Sequence, residues 1–251
     1  MTTSAFADPT PPTAFPCRVV AEPERVWQRI RSWQRLLAPP GCWLWGGEVR
    51  DAHRLPPGPV IVVANHLSAF DTLLLGWAMP RVAAYLAKAE ILDWPIVGTE
   101  AIRCGGFPAR RGRGDPTAFL TAVSVLDAGH PVVLHPEGSR SLNGLYGTQR
   151  LRAGAARFAL ARPVPIQPIA LFGTDSILPK HGLIPGRGRC SAQFGEPIYP
   201  EAYLPPADWP VTEQVTAINA VIDRAFRTLL PTDLQTETPT PGLERVPVGT
   251  A

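Results

Sequence analysis

The sequence predicts an α/β fold, a single domain built on a mostly parallel, mixed sheet flanked by helices. Three observations predict it. Short apolar, β-branched runs such as Val60-Ile61-Val62-Val63-Ala64 recur along the chain. Between them lie stretches whose apolar residues fall at three- and four-residue spacing. The two kinds alternate, which is the order of a layered α/β protein. With 251 residues, 45% of them hydrophobic, the chain is long enough to enclose one such core. No linker or internal repeat divides it, so one domain over residues 22–230 is expected.

Residues 1–21 are rich in Pro, Thr and Ala and read as a disordered arm. Residues 22–37 read as an N-terminal amphipathic helix. Trp27, Ile30, Trp33 and Leu37 share one face, while Arg25, Arg29, Arg31 and Arg35 occupy other positions. Its tryptophan face suits either a membrane interface or the core, and period alone does not separate them. Val60–Ala64 is the first clear strand. A helix follows from about Ala69 to Met79, then a strand over Val82–Leu86. Asp115-Pro116 reads as an N-cap with proline at the first helical position, opening a helix that runs to Asp127 and stops at Gly129. Pro131–Leu134 is a short strand, Ala153–Ala161 a helix, and Val164–Leu171 a strand. In that last strand Pro165 and Pro168 line a pocket or mark a sheet edge. Arg189–Phe194 is a further strand, Val211–Leu230 a closing helix, and 231–251 a disordered tail.

Composition narrows the function classes. The formal net charge is only +3, so no strong field that would collect nucleic acid is implied. The only lysines are Lys88 and Lys180, which leaves arginine, with its phosphate-matching fork, as nearly all the basic complement. The cysteines Cys17, Cys42, Cys104 and Cys190 are widely spaced, which argues against a disulfide framework or zinc site and for a reducing compartment. Met1 to Phe15 lacks the pattern of a signal peptide. The longest apolar candidate for a membrane span, Leu73 to Ala87, is broken by Pro80-Arg81. The expectation is a cytoplasmic protein that does not span a membrane but is free to lie on its inner face.

The segment Asn65-His66-Leu67-Ser68-Ala69-Phe70-Asp71 carries the most chemistry. It sits where a buried strand ends and a helix begins, where open α/β folds place reacting groups. A histidine held by a carboxylate takes a proton from a hydroxyl near neutral pH. No dedicated serine nucleophile stands out beside it, so if the pair is catalytic the hydroxyl belongs to the substrate. Five residues of continuous helix would turn His66 and Asp71 apart, so the pair requires His66 before the helix and Asp71 reaching back from its first turn. Ser68-x-x-Asp71 also reads as a capping box, a role compatible with the catalytic one. The loop Val132-Val133-Leu134-His135-Pro136-Glu137-Gly138-Ser139-Arg140-Ser141 holds an acid, a flexible glycine, a hydroxyl and an arginine, a set that suits either an oxyanion site or a surface turn. Gly105-Gly106-Phe107-Pro108-Ala109-Arg110-Arg111 puts paired arginines after a glycine turn, with Arg113 close behind, and on its own reads as a solvated basic loop.

Taken in order, these segments resemble the glycerolipid (1-acylglycerol-3-phosphate type) acyltransferase family. That family carries Asn-His-x-x-x-x-Asp, an arginine-ending block headed by glycine, Phe-Pro-Glu-Gly-Thr-Arg-Ser, and a proline-containing apolar block, in that order. All four have counterparts here between Asn65 and about Ala170. The resemblance implies His66 as general base and Asp71 as its orienting carboxylate. It also implies substrate binding by Asn65, Gly105, Arg111, Glu137, Gly138, Ser139 and Arg140, the second and third blocks holding the acceptor phosphate. His135 stands where Phe is usual, Ser139 for Thr, Arg110 for an acid, and Pro108 for Phe. The implied reaction moves a fatty acyl group from an acyl thioester, on coenzyme A or acyl-carrier protein, to a lysophospholipid hydroxyl, with 1-acylglycerol-3-phosphate as first acceptor and phosphatidic acid as product. Backbone amides following Asn65 are expected to hold the oxyanion. No metal or cofactor is implied beyond the thioester co-substrate. The expected partners are the lysophospholipid, the acyl donor and the membrane surface. Two alternatives stand: another lipid acceptor (a lyso-aminolipid, glycolipid or isoprenoid alcohol), and a non-catalytic lipid-binding module.

Overall fold

The computed structural model describes residues 13–110, 114–141, 143–179, 182 and 184–237. The apolar runs pair into one seven-stranded sheet, ordered β1-β7-β6-β2-β5-β3-β4. The strands are β1 Glu48–Arg50, β2 Ile61–Ala64, β3 Ala84–Lys88, β4 Gly106–Ala109, β5 Val132–Leu134, β6 Ile166–Phe172 and β7 Ser191–Phe194. All neighbouring pairs are parallel except β6 with β7. The mixed, mostly parallel α/β sheet expected from the alternation is therefore the observed one.

The helices are α1 Arg18–Ala21, α2 Pro23–Trp45, α3 Asp71–Ala78, α4 Ala89–Leu92, α5 Val97–Arg103, α6 Pro116–Asp127, α7 Gly154–Ala161, α8 Thr174–Ile177, α9 Pro200–Tyr203 and α10 Val211–Leu229. They cover both faces of the sheet, and the two-residue strand period divides the core between them. Ile61, Val63, Val132, Leu134, Ile166 and Ala170 face one side, with Val125, Phe158 and Phe226 from α6, α7 and α10. Val60, Val62, Val133, Ile169 and Leu171 face the other, with Leu74 and Leu75 from α3 and Ile177 from α8. Strands buried on both faces explain why β2 reads as an unbroken apolar run.

Helix α6 is built as its sequence predicts. The Asp115 carboxylate caps it, Oδ1 accepting from the Ala118 amide at 3.1 Å, and Pro116 fills the first turn. Ala118, Thr121, Ala122, Val125 and Leu126 form its buried stripe. The chain leaves it through Gly129, whose φ of +83° only glycine adopts without strain.

Several boundaries differ from expectation. The disordered arm does not extend to residue 21: Cys17 and Val19 are buried, and the Phe15 amide donates to Thr121 Oγ1 at 2.6 Å. The tail is likewise held over its described part, where the Tyr146 amide donates to the Leu234 carbonyl and the Thr236 amide to the Tyr146 carbonyl. Helix α2 continues past Leu37 to Trp45, whose indole donates to the Gly186 carbonyl at 2.9 Å and packs edge-on against Phe70. The N-terminal half of α2 is seated by Val26 and Ile30, with Trp27 partly buried against the same core and Trp33 exposed. β1 and β4 are strands that no run in the sequence marks. Both are edge strands, and Pro108 in β4 is tolerated for that reason. β6, by contrast, is interior, so neither Pro168 within it nor Pro165 just before it marks a sheet edge. Its side chains fill the two cores instead of lining the cleft. Beside Pro168, which has no N–H, the Gln167 side chain donates to the Gly195 carbonyl at 2.8 Å.

Candidate active site

The chain runs from β2 outward to β3 and β4, returns to β5, then crosses to β6 and β7 on the other side. The crevice at this switch point lies above the C-terminal ends of β2, β5 and β6, where such sheets bind ligands. His66 follows β2, His135 and Glu137 follow β5, and Thr174 follows β6. Residues distant in sequence meet there.

His66 precedes α3 and Asp71 opens it, as the pair requires. His66 Nδ1–H donates to Asp71 Oδ2 at 2.8 Å, so the ring's other nitrogen, Nε2, is not the one that Asp71 holds. The same oxygen accepts from the Leu67 and Ser68 amides at 2.8 and 2.9 Å, while Oδ1 accepts from the Thr174 hydroxyl. The carboxylate is fully buried. Burial by itself raises its pKa, but the His66 hydrogen bond, the nearby histidines and the Ser68 amide outweigh that and hold it below the usual carboxylate value. Its bond to Ser68 N is half of the predicted capping box, so capping and orienting coexist. The Ser68 hydroxyl instead donates to the Leu178 carbonyl at 2.6 Å and accepts from Phe70 N.

The loop after β5 grips the His66 backbone from both ends. Glu137 Oε2 accepts from His66 N at 2.6 Å, and Ser141 N donates to His66 O at 2.7 Å. Burial pushes the Glu137 carboxyl up to about 8 against the lowering effect of the His66 amide. Gly138 takes the turn with φ +70°, and a Cβ there would lie 2.9 Å from Arg152 Cγ. The Ser139 hydroxyl donates to Gln149 Oε1, and Gln149 Nε2 donates to the Arg140 carbonyl at 2.9 Å.

The roles implied by the motifs separate accordingly. His66, Gly138, Ser139 and Arg140 line one open cleft of ≈ 2970 Å³, with Arg110, Arg150, Arg152 and Arg157 around it. A volume this far above that of a single drug-sized site suits two long substrates. Asn65 and Glu137 do not line the cleft. The Asn65 side chain exchanges two hydrogen bonds with the Leu171 backbone, at 2.7 and 3.0 Å, tying β2 to β6. Gly105 is structural as well: its φ is +93°, and a Cβ would meet the Ala83 carbonyl at 2.7 Å. Arg111 and Arg113 lie outside the described residues. The amides expected to hold an oxyanion after Asn65 are largely committed, those of residues 66, 67, 68, 70 and 71 all donating within the protein.

Sequence reasoning gave no role to Thr174, Gln149 or Arg152. A lone threonine carries no motif, and only its place just past a strand, behind Gly173, is a signal. His135 was visible as a departure from the motif without a role. Its ring stacks on His66 with centroids 4.0 Å apart and planes 12° from parallel, and its Nδ1–H donates to the Ala64 and Asn65 carbonyls at 2.9 and 3.1 Å. His66, Asp71 and His135 bring ligand atoms within 4.8 Å of one another. Both Nδ1 atoms and both Asp71 oxygens already hold hydrogen bonds, so a metal there would compete with the dyad.

Comparison with known proteins agrees with this geometry. Residues 47–172 match the family model described as Acyltransferase, a span that runs from the start of β1 to the end of β6 and holds His66, Asp71 and the Glu137–Arg140 loop. A lyso-ornithine lipid O-acyltransferase of Pseudomonas aeruginosa is 34% identical over 172 residues, 60% of this chain and 64% of the relative. A 1-acyl-sn-glycerol-3-phosphate acyltransferase of Borreliella burgdorferi is 30% identical over 124 residues, 49% of each chain. The chain thus spans one half to under two thirds of these curated relatives. In fold, it resembles the crystal structure of the 1-acyl-sn-glycerophosphate acyltransferase from Thermotoga maritima, with a TM-score of 0.60 over 80% of this chain and 79% of that one, at 22% identity. With the family pattern covering half its length and the dyad, the gripping loop and six of the seven strands within that span, the chain belongs to the Acyltransferase family.

Proposed function

We propose that this protein transfers an acyl group from a thioester to the free hydroxyl of a lysolipid with an anionic headgroup. The His66–Asp71 pair carries the reading: a base at 2.8 Å from a buried carboxylate, opening onto a cleft large enough for two substrates. His66 Nε2 takes the hydroxyl proton as the oxygen attacks the thioester carbonyl. Asp71 holds the imidazole tautomer and balances the imidazolium. The tetrahedral intermediate then collapses, the C–S bond breaks, and His66 returns the proton to the departing thiolate, leaving an ester and a thiol. Arg140, with Arg110 and Arg152 on the same cleft, supplies guanidinium forks for the headgroup. Positioning by these groups accounts for much of the acceleration. The donor is coenzyme A or carrier-protein thioester, and no step calls for a metal or cofactor.

The arginines favour a phosphate acceptor, 1-acylglycerol-3-phosphate, with phosphatidic acid as product. The likeness to the Pseudomonas lyso-ornithine lipid relative supports a second acceptor, in which the headgroup anion is a carboxylate. A panel of lysolipids with phosphate, with carboxylate and with neither, incubated with an acyl thioester and read by mass spectrometry, separates the two. Acylation of the neutral members alone would overturn the anionic-acceptor reading.

The protein works at a membrane surface. Among the described residues, no helix is long and apolar enough to cross a membrane. Trp33, Leu73, Ile91, Trp94, Ile96 and Val97 are nevertheless exposed, and all line the same cleft as His66. A rim of large apolar side chains around a lipid-sized opening is the surface expected to sit against a bilayer.

A further inference from the structure

We propose that His135 is a positioning residue for the base, a neutral imidazole whose face fixes the plane of His66 and steadies the positive charge His66 acquires during transfer. The inference rests on the general-base reading of His66.

One hydrogen bond does not hold a ring. His66 is tied to Asp71 through Nδ1, and rotation about that bond would swing Nε2 through an arc across the cleft, because the terminal torsion of histidine is soft. A second restraint must set the plane. The His135 ring supplies it, lying 4.0 Å away and 12° from parallel. His135 is itself immobilised from behind, since its Nδ1–H reaches the carbonyls of Ala64 and Asn65, the two residues that lead into His66. The chain segment carrying the base and the ring that flattens it are therefore one unit. A phenylalanine at 135 would offer a face but no donor to those carbonyls.

The tautomer follows from the same bonds. A ring whose Nδ1 donates to two carbonyls keeps its proton there and leaves Nε2 unprotonated. Burial, then the charge of His66, lowers the His135 pKa to about 4. Among the described residues, the titratable groups in contact with His66 are Asp71 from α3, His135 from the end of β5, and Glu137 at its amide. When His66 takes the substrate proton, it presents a cation to the face of a neutral aromatic ring, an attraction that strengthens out of water. That attraction is absent while His66 is neutral, so it favours the transition state over the ground state.

The test compares three variants of the full chain. His135→Leu removes face and donor, His135→Phe keeps the face, and His135→Asn keeps a donor without the face. The readout is the acid limb of the kcat/KM–pH profile, with thermal melting alongside. His135→Leu and His135→Asn are expected to move the limb about one pH unit lower and to reduce kcat about tenfold, while His135→Phe keeps the wild-type limb. Should His135→Leu fail to fold, the comparison of His135→Phe with His135→Asn decides. A limb unmoved in every folded variant, whatever the melting temperatures do, overturns the proposal. His66→Ala is run in parallel: retained activity there would instead overturn the general-base reading itself.

Discussion

Asp71→Asn separates what the buried carboxylate does for the fold from what it does for the base. Asp71 Oδ2 accepts three N–H bonds at 2.8–2.9 Å, and Oδ1 takes the Thr174 hydroxyl. An asparagine oriented with its oxygen at the Oδ2 position keeps those three acceptor contacts, and the Thr174 hydroxyl can rotate to accept from the amide. The charge is lost. Hydrogen bonds to a charged group are worth about 1.5–3 kcal/mol and neutral ones about 0.5–1.5, a difference of about 1 kcal/mol for each of the three. The neutral amide recovers part of this because it is cheaper to bury. A net loss of about 1–3 kcal/mol remains, or roughly 2–12 °C in Tm for a chain of this size. The pH dependence carries the sign. Because the Asp71 pKa is held low in the fold, its contribution is present above the ordinary aspartate pKa and lost as pH falls through the depressed one. The wild type should therefore lose stability on that acid side more steeply than Asp71→Asn. For catalysis, the imidazolium no longer has a charged partner, and kcat should fall by about 10²–10⁴. The assay follows thiol release from the acyl thioester in the presence of lysolipid, with Tm measured on the same preparation. A folded Asp71→Asn protein whose kcat stays within a factor of a few of wild type would refute the role given to the carboxylate.

Three further outcomes follow from single contacts. Glu137→Gln keeps an acceptor for the His66 amide and removes a buried ionisation. Since the Glu137 pKa is raised to about 8, its favourable contribution is full below the ordinary glutamate value and lost as pH rises through about 8. The variant should be the more stable protein at pH 9 by up to about 4 kcal/mol, measured by denaturant titration; equal stability there would contradict a buried, hard-to-ionise carboxyl. Thr174→Val deletes the hydroxyl that donates to Asp71 Oδ1, and should cost about 1–2 kcal/mol in stability and lower kcat severalfold with KM little changed. Trp94→Ala with Ile96→Ala removes two exposed apolar side chains from the cleft rim, and should reduce co-sedimentation with anionic vesicles while leaving Tm within about 2 °C. Undiminished sedimentation would place the membrane contact elsewhere.

The reading of the fold succeeded where burial on both sheet faces forces an apolar run, as in β2 and β5, and where a cap writes itself into sequence, as at Asp115-Pro116. It missed β1 and β4 because short edge strands, one of them containing Gly106 and Pro108, need neither alternation nor apolar continuity. It placed residues 13–21 and 231–237 in loose ends because a few anchors, such as Val19 and the strand-like contact at Tyr146, leave little compositional trace. In the site, His66 and Asp71 were legible because their spacing across a strand–helix junction has a mechanical consequence. The carboxylate's other partners were not, since Thr174 lies more than a hundred residues away and joins the pair only through the neighbouring strand. The motif also mixed two kinds of residue. Asn65, Gly105 and Glu137 sit in it for the backbone they secure, and geometry alone distinguishes them from the residues that face the cleft.

The central claim is that His66 removes the proton of an incoming lysolipid hydroxyl. Its most direct test is the rate of acyl-ester formation by purified His66→Ala protein, measured by mass spectrometry with an acyl thioester and a lysolipid at neutral pH. With 18% of its side chain exposed, His66 can be truncated without opening a sealed core, so the variant should fold. Ester formation should fall by about 10²–10⁴ relative to wild type. A folded His66→Ala protein that forms ester at the wild-type rate would contradict the account.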